Sequence, residues 1–230
     1  MTISILTLFP QMFQGPFEYS IIKNATEKGL VTIRFVNIRD FGIGKHKIVD
    51  DTPYGGGSGM IMRADVVHHA IVHAKNLSSS KKQSTILLSP DGENFTQEKA
   101  SNFAKLEHLI LVCGHYEGID SRVDNFADEK ISIGDYVLTG GEIPAIVVTD
   151  TVVRLVTGVL KDTVTQSESF SLTFGYLEYP QFTRPRVYKR LRVPQVLLAG
   201  DHNRIQKWRQ KQAVKKTRLL RPDLLTLLRN

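Results

Sequence analysis

Ser132–Pro144 reads SIGDYVLTGGEIP, and the order of its residues decides the architecture. Ile131, Ile133, Tyr136, Val137 and Leu138 are strand material, Gly134 interrupts them, and Gly140-Gly141 ends them with a turn that glycine makes cheaply. Glu142 then opens an apolar helical run. A glycine pair between a strand and a helix leaves bare N–H groups where a ligand's polar edge can approach. About 20 residues upstream, Leu109-Ile110-Leu111-Val112-Cys113-Gly114 is a second buried strand ending at glycine, followed by His115-Tyr116-Glu117-Gly118-Ile119-Asp120. Two neighbouring strands with glycine ends would frame a slot of nucleotide size. Neither stretch is G-x-G-x-x-G, and Gly55-Gly56-Gly57-Ser58-Gly59 lacks the Gly-Lys-Ser/Thr ending of a phosphate-binding loop. An ordinary dinucleotide fold and an NTPase are thereby excluded.

Outward from this stretch, apolar runs predict strands near Ile3–Leu8, Val31–Ile38, Ser84–Leu88, Leu109–Cys113 and Lys130–Leu138. Helical periodicity falls near Pro10–Glu27, Arg63–Ala74, Thr96–Leu106, Ile119–Phe126 and Glu142–Val156. Strands alternating with helices predict a mostly parallel α/β sheet over residues 1–160. Lys161–Thr173, with three Thr and three Ser, reads as a polar linker that ends near Phe174. A small, mainly helical module over residues 175–230 follows, with Asp201 as the N-cap of a helix running to about Leu219.

Charge separates these parts. Residues 179–230 carry 14 Lys/Arg and 2 Asp/Glu, a net +12, whereas residues 1–178 carry −5. In the predicted helix Arg204, Lys207, Lys211, Lys215 and Arg218 fall on one face, and Arg184, Arg186, Lys189, Arg190 and Arg192 extend the basic surface upstream. Such a face can be merely solvated, but its confinement to one module without compensating acids points to a phosphate backbone. One cysteine, Cys113, rules out an internal disulfide and reads as a buried reduced thiol, which fits a cytoplasmic protein. The longest apolar run, Ile143–Leu160, contains Asp150 and Arg154, so no segment is suited to crossing a bilayer. His69 and His73 stand one helical turn apart beside His68, but no third ligand accompanies them, and no metal site is assigned.

Five motifs occur in order: DTPYGGGSGMIM at Asp51–Met62, CGHYEGID at Cys113–Asp120, SIGDYVLTGGEIPA at Ser132–Ala145, YPQFTRP at Tyr179–Pro185 and LRPDLL at Leu220–Leu225. Together they resemble the bacterial tRNA (guanine-N1)-methyltransferases, the TrmD family of the SPOUT superfamily, over nearly the whole chain. The resemblance implies an α/β sheet with a deep trefoil knot, a homodimer, and methylation of the guanosine directly 3′ of the anticodon, guanosine-37. It also implies S-adenosylmethionine held by Leu88, Ser89, Pro90, Gly114, Tyr116, Glu117, Gly118 and Ser132, Ile133, Gly134, Asp135, Tyr136, Val137 and Leu138, with Gly140, Gly141 and Pro144 closing the loop. Turn geometry alone would also account for the glycines.

By the same resemblance Glu168, directly before Ser169-Phe170, is the general base that takes the N1 proton, where the commoner pattern has Asp. Arg154 is expected to stabilise charge on the guanine, although an ion-pairing role would also explain it. Asp51, Tyr54 and Gly59 are expected to line the entrance for the base, and Arg184, Lys207, Lys211 and Lys215 to meet tRNA rather than DNA. The family also implies Mg²⁺, for which no ligand cluster stands out. A SPOUT enzyme acting on rRNA or a ribose hydroxyl would keep the donor loops without needing the acid before Ser-Phe or the YPQFTRP segment. A tRNA-binding protein with a vestigial donor site would fail to bind the donor.

Overall fold

A computed structural model describes residues 1–171 and 175–227. The end of the expected linker at Thr173 and Phe174, and the last three residues of the basic module, lie outside the described residues. The chain divides into two compact units, Met1–Leu160 and Lys161–Asn230.

The first unit carries strands β1 (Thr2–Thr7), β2 (Thr32–Asn37), the two-residue β3 (Asp50–Asp51) and β4 (Ile61–Met62), β5 (Gln83–Asn94), β6 (His108–Cys113) and β7 (Glu129–Ser132). Its helices are α1 (Ser20–Glu27), α2 (Ala64–Asn76), α3 (Gln97–Phe103) and α4 (Glu142–Val153). Five strands form one parallel sheet in the order β2-β1-β6-β5-β7, with Ile5 opposite both Phe35 and Leu111, and Leu88 opposite both Cys113 and Ile131. Strand β6 is buried at every residue, as a central parallel strand covered on both faces must be. Leu109, Leu111 and Cys113 face a core shared with α1, α3 and α4, while Ile110 and Val112 face α2 through Val66, Val67, Ala70 and Ile71. The period of two along the strand thus serves two layers of helices.

Several expected elements differ in extent, among them the strand expected over Ser84–Leu88, which runs to Asn94. The helix expected over Pro10–Glu27 is a 3₁₀ turn (Pro10–Phe13) and then α1, because Gly15, at φ 91°, and Pro16 stand between them. Ile119–Phe126 is a 3₁₀ helix over Ser121–Phe126, capped where the Asp120 side chain accepts the Arg122 N–H. Helix α4 stops at Val153, with Arg154 as its C-cap.

A further difference bears on the site. Strand β7 ends at Ser132, and Tyr136, Val137 and Leu138 lie in an exposed loop rather than in a strand. The Ser132 hydroxyl accepts the Gly134 N–H at 3.2 Å and donates to the Gly134 carbonyl at 3.0 Å, taking backbone groups that a longer strand would pair. Gly134 adopts φ 151°, and the Tyr136 ring folds over it into space that any Cβ would occupy. Local hydrogen bonding overrides the strand propensity of the aromatic and branched residues.

The second unit contains the short helix α5 (Asp162–Thr165), strands β8 (Val187–Tyr188) and β9 (Leu191–Arg192) paired antiparallel, and helices α6 (His202–Leu220) and α7 (Asp223–Leu227). The Asp201 carboxylate accepts the Arg204 N–H at 3.0 Å and caps α6. Thr217 on α6 accepts the Leu177 N–H at 2.9 Å, Trp208 meets Phe182, and Arg209 lies over the Tyr179 ring. Segment 177–182 therefore covers one side of α6. Segment 161–171 is not the plain polar linker expected: it opens with α5 and closes on the chain where the Phe170 N–H bonds the Tyr176 carbonyl.

Leu111, fully buried in the middle of β6, tests the sheet as the seat of stability. Leu111→Ala should destabilise the protein by about 2–5 kcal/mol, the usual cost of such a cavity, in urea denaturation. A loss below about 1 kcal/mol would contradict the packing described.

Candidate functional site

The C-terminal end of the sheet opens into a cavity of about 640 Å³ with three walls. The first wall is an interruption of β5. Leu88 and Glu93 both pair with Ile131, so the four residues Ser89–Gly92 loop out between them. Gly92 permits this, because a Cβ there would lie 2.5 Å from the Ile131 backbone. Lys99 fastens the far side of the loop, with its Nζ 2.9 Å from Glu93 and 2.8 Å from Glu129. Leu88, Ser89 and Pro90 thereby reach the cavity.

The second wall follows β6: Gly114, His115, Tyr116, Glu117 and Gly118. It is braced from outside by the Asp51–Met62 segment. The Glu117 N–H bonds the Met60 carbonyl and the Met62 N–H bonds the Gly118 carbonyl. Gly59, at φ 85°, lies against the Glu117 side chain where no Cβ would fit. Of the three residues expected at the entrance, Gly59 stands against this wall, Asp51 pairs with Arg63 at 3.1 Å and Tyr54 is 99% exposed; none of them lines the cavity itself.

The third wall is the loop after β7 and the start of α4: Ser132, Ile133, Gly134, Tyr136, Val137, Leu138, Gly140, Gly141 and Pro144. Asp135 is the one expected donor residue that does not line the cavity; it is exposed. The strands bearing the two glycine ends are not neighbours, since β5 lies between β6 and β7. Contact is made instead by the loop, which returns so that His115 and Gly140 form a bridge and the Gly141 N–H bonds the Gly114 carbonyl at 2.8 Å. That N–H is therefore already used. Neither glycine has a positive φ; Gly141 sits at −79°. Their smallness is needed for close approach: a Cβ on Gly141 would lie 2.6 Å from Cys113 Cα, and one on Gly140 2.7 Å from His115 Nδ1.

Charge on the lining is mostly negative. Asp91, Glu117 and Asp124 face the cavity with Lys130, whose Nζ bonds Asp91 and Asp124 at 2.8 Å each. The Lys130 ammonium and then Ser89 hold the Asp91 carboxyl below its usual range, while Asp124 and then Asp91 hold Lys130 above its own. The stabilisation from Asp91 is present above its unfolded pKa and is lost as pH falls through the depressed value. That from Lys130 is present below its unfolded pKa and is lost as pH rises through the raised one. The tie is intact at neutral pH. These four lining residues, apart from Glu117, escaped the sequence reading, as did His115; Lys130 and Asp124 lie six apart with no motif to mark them.

Behind the wall, Glu142 is 1% exposed; its Oε1 accepts the Thr7 hydroxyl at 2.8 Å. Cys113 lies beside it, and burial, with the Glu142 charge second, pushes its thiol well above the usual range. It is an inert thiol at neutral pH.

Arg154 is not brought to the cavity. It ends the helix whose beginning lines it, about 18 Å away along the axis at 1.5 Å per residue. Glu168 is half-buried in the second unit. Arg184, Lys207, Lys211 and Lys215 are exposed, and Lys211 and Lys215, three and seven residues beyond the half-buried Trp208, share its side of α6 rather than that of the buried Thr217. The histidines of α2 serve packing, with His68 stacked on Phe126 at 3.8 Å and His73 against Phe41. Among the described residues no group of three His, Cys, Asp or Glu could hold a metal ion, and no helix is long and apolar enough to cross a membrane.

Residues 1–227 match the family described as tRNA (Guanine-1)-methyltransferase TrmD. A Dictyoglomus turgidum protein named tRNA (guanine-N(1)-)-methyltransferase is 54% identical over 223 residues, 97% of this chain and 89% of its own. Proteins of the same name from Pelotomaculum thermopropionicum and Geobacillus kaustophilus are 52% and 49% identical, each over 98% of this chain and 90% and 91% of their own.

Gly141→Ala should destabilise the protein by about 3 kcal/mol, the upper end of overpacking costs, because the atoms it meets are backbone. Gly15→Ala, with nothing within 4 Å and φ 91°, should cost only about 1–2 kcal/mol of backbone strain. Equal losses in urea denaturation would refute the close approach.

Proposed function

The chain belongs to the tRNA (guanine-1)-methyltransferase family, and on that premise we propose that it transfers a methyl group from S-adenosylmethionine to N1 of guanosine-37 in tRNA. The observation that carries this reading is the cavity, whose three walls bring together every expected donor residue except Asp135. A surplus of carboxylates over Lys130 suits a ligand whose sulfonium and ammonium are both positive. The donor supplies an electrophilic methyl group. The chain's part is to hold it dry and oriented, to position the guanine and to remove a proton.

Glu168 takes the N1 proton. A carboxylate is in general a weak base for that position, so Arg154 bonds the guanine O6 and spreads the developing charge. The Arg154 end of α4 is remote from the cavity of its own chain, which supports a homodimer in which the donor of one copy meets Arg154 and Glu168 of the other. The exposed Ile143 and Val147 on α4 supply apolar surface for that contact. Residues 1–160 form the donor domain, with the family's trefoil knot; residues 161–174 carry the base and residues 175–230 bind tRNA in the cytoplasm. The Gly59 loop admits the base beside Glu117. For Mg²⁺ the described residues make no cluster, and no step is assigned to it.

Glu168→Gln keeps the shape and removes the basicity. Donor and tRNA binding should stay near wild type while single-turnover methylation of a tRNA transcript at saturating donor falls by about 10²–10⁴. Glu168→Asp should keep part of the rate. Wild-type turnover by the Gln variant would assign the base elsewhere.

Replacing Lys207, Lys211 and Lys215 together by Ala should weaken tRNA binding and reduce the slope of log affinity against log salt by about 2–3, since each phosphate contact releases about one counterion. An unchanged slope, measured by filter binding across salt concentrations, would remove this face from the tRNA interface.

A further inference from the structure

Glu142 is a carboxylate with no place in the donor reading above, yet it lies one residue's thickness behind the cavity wall. Its Oε2 lies so near Gly140 that a Cβ there would collide with it, and Gly140 lines the cavity. Its Oε1 is held by the Thr7 hydroxyl, which itself accepts the Phe9 N–H at 2.9 Å, so the carboxylate cannot swing away. It occupies the first turn of α4, whose N-terminal dipole favours an anion.

On the cavity side Oε2 faces Nδ1 of His115 at 3.9 Å. That nitrogen is buried and has no hydrogen-bond partner, whereas the side chain as a whole is 24% exposed. The ring therefore turns Nδ1 inward to the carboxylate and its opposite edge outward. A carboxylate so placed favours the proton on Nδ1, which leaves Nε2 as an acceptor. His115 is itself held by Phe9, ring centroids 4.8 Å apart, and by Tyr116 at 4.9 Å. The other charges on the wall are Asp91, Glu117, Asp124 and Lys130, of which only Lys130 is positive and is already paired.

We propose that Glu142, acting through His115, is a specificity-determining residue that makes the cavity sense the charge of the donor's sulfur, favouring the cationic sulfonium over the neutral thioether left after transfer. Buried charge is little screened by solvent, so a carboxylate beyond a single glycine is felt inside the cavity. The consequence is a bias in exchange: loss of the methyl group removes the positive charge, and with it part of the product's hold. This inference rests on the donor reading.

The experiment is calorimetric titration of the full-length protein with S-adenosylmethionine and with S-adenosylhomocysteine, read as the ratio of the two dissociation constants. Glu142→Gln keeps the acceptor for Thr7 and removes the charge. It should shift the ratio by about tenfold towards the thioether. Thr7→Val loosens the same tie but keeps the charge, so it should lower thermal stability and leave the ratio within about twofold of wild type. If Glu142→Gln does not fold, His115→Arg decides: its guanidinium offsets the carboxylate from the exposed side and should shift the ratio in the same direction. A ratio unchanged in the folded charge variants, or affinities for both ligands falling equally, would overturn the inference. If the wild-type protein binds neither ligand, the donor reading itself fails and this inference falls with it.

Discussion

Everything at the cavity depends on one close approach, that of the Gly141 backbone to the end of β6. The hydrogen bond from its N–H to the Gly114 carbonyl, and the absence of a Cβ where Cys113 Cα stands 2.6 Å away, draw the loop after β7 across the intervening strand β5. Without that contact the loop would be tied to the end of β6 only through the His115–Gly140 bridge, and the start of α4 only through the Thr7–Glu142 hydrogen bond. With it, α4 begins under the sheet's end, packs Ala145, Val148 and Val152 into the core, and makes its first turn part of the cavity. The exposed Tyr136 and Val137, the latter 85% accessible, are affordable only because the two ends of their loop are so firmly tied.

Much of this architecture was legible in the residues. The apolar run Leu109–Cys113 had to be a doubly covered strand, and the alternation of strand and helix had to give a parallel sheet. Strand extent was not legible where side chains bond their own backbone: Tyr136-Val137-Leu138 has strand composition, but the Ser132 hydroxyl and Gly134 decide otherwise within three residues. Strand order was also hidden. Two glycine-ended strands close in sequence seemed neighbours, while β5, drawn from earlier in the chain, lies between them.

At the candidate site the motifs led to the walls but not to what supports them. Glycines in SIGDYVLTGG and CGHYEG announce close approach, though not whether the cause is a positive φ or a neighbouring backbone; at Gly141 it is the backbone. Glu142 read as an ordinary acid opening a helix, because burial against Thr7, 135 residues away in sequence, leaves no local trace. Arg154 has the opposite character: the resemblance gave it a role on the guanine, and the helix between it and the cavity, about 18 Å long, argues against that role within one chain.

The division of charge acquires a physical sense on the proposed reading. A donor that is a cation and a substrate that is a polyanion make opposite demands on one surface. A cavity lined with carboxylates would repel phosphates brought close to it, and a basic lining would expel the donor. Separating −5 over residues 1–178 from +12 over residues 179–230 lets each ligand meet the sign it needs. Screening weakens either field beyond a Debye length of about 8 Å at physiological salt, so each acts on the ligand that its own residues meet. On that reading the glycine-rich Tyr54–Gly59 segment, which meets the cavity wall where Gly59 lies against Glu117, presents a base edge with peptide groups that carry no charge.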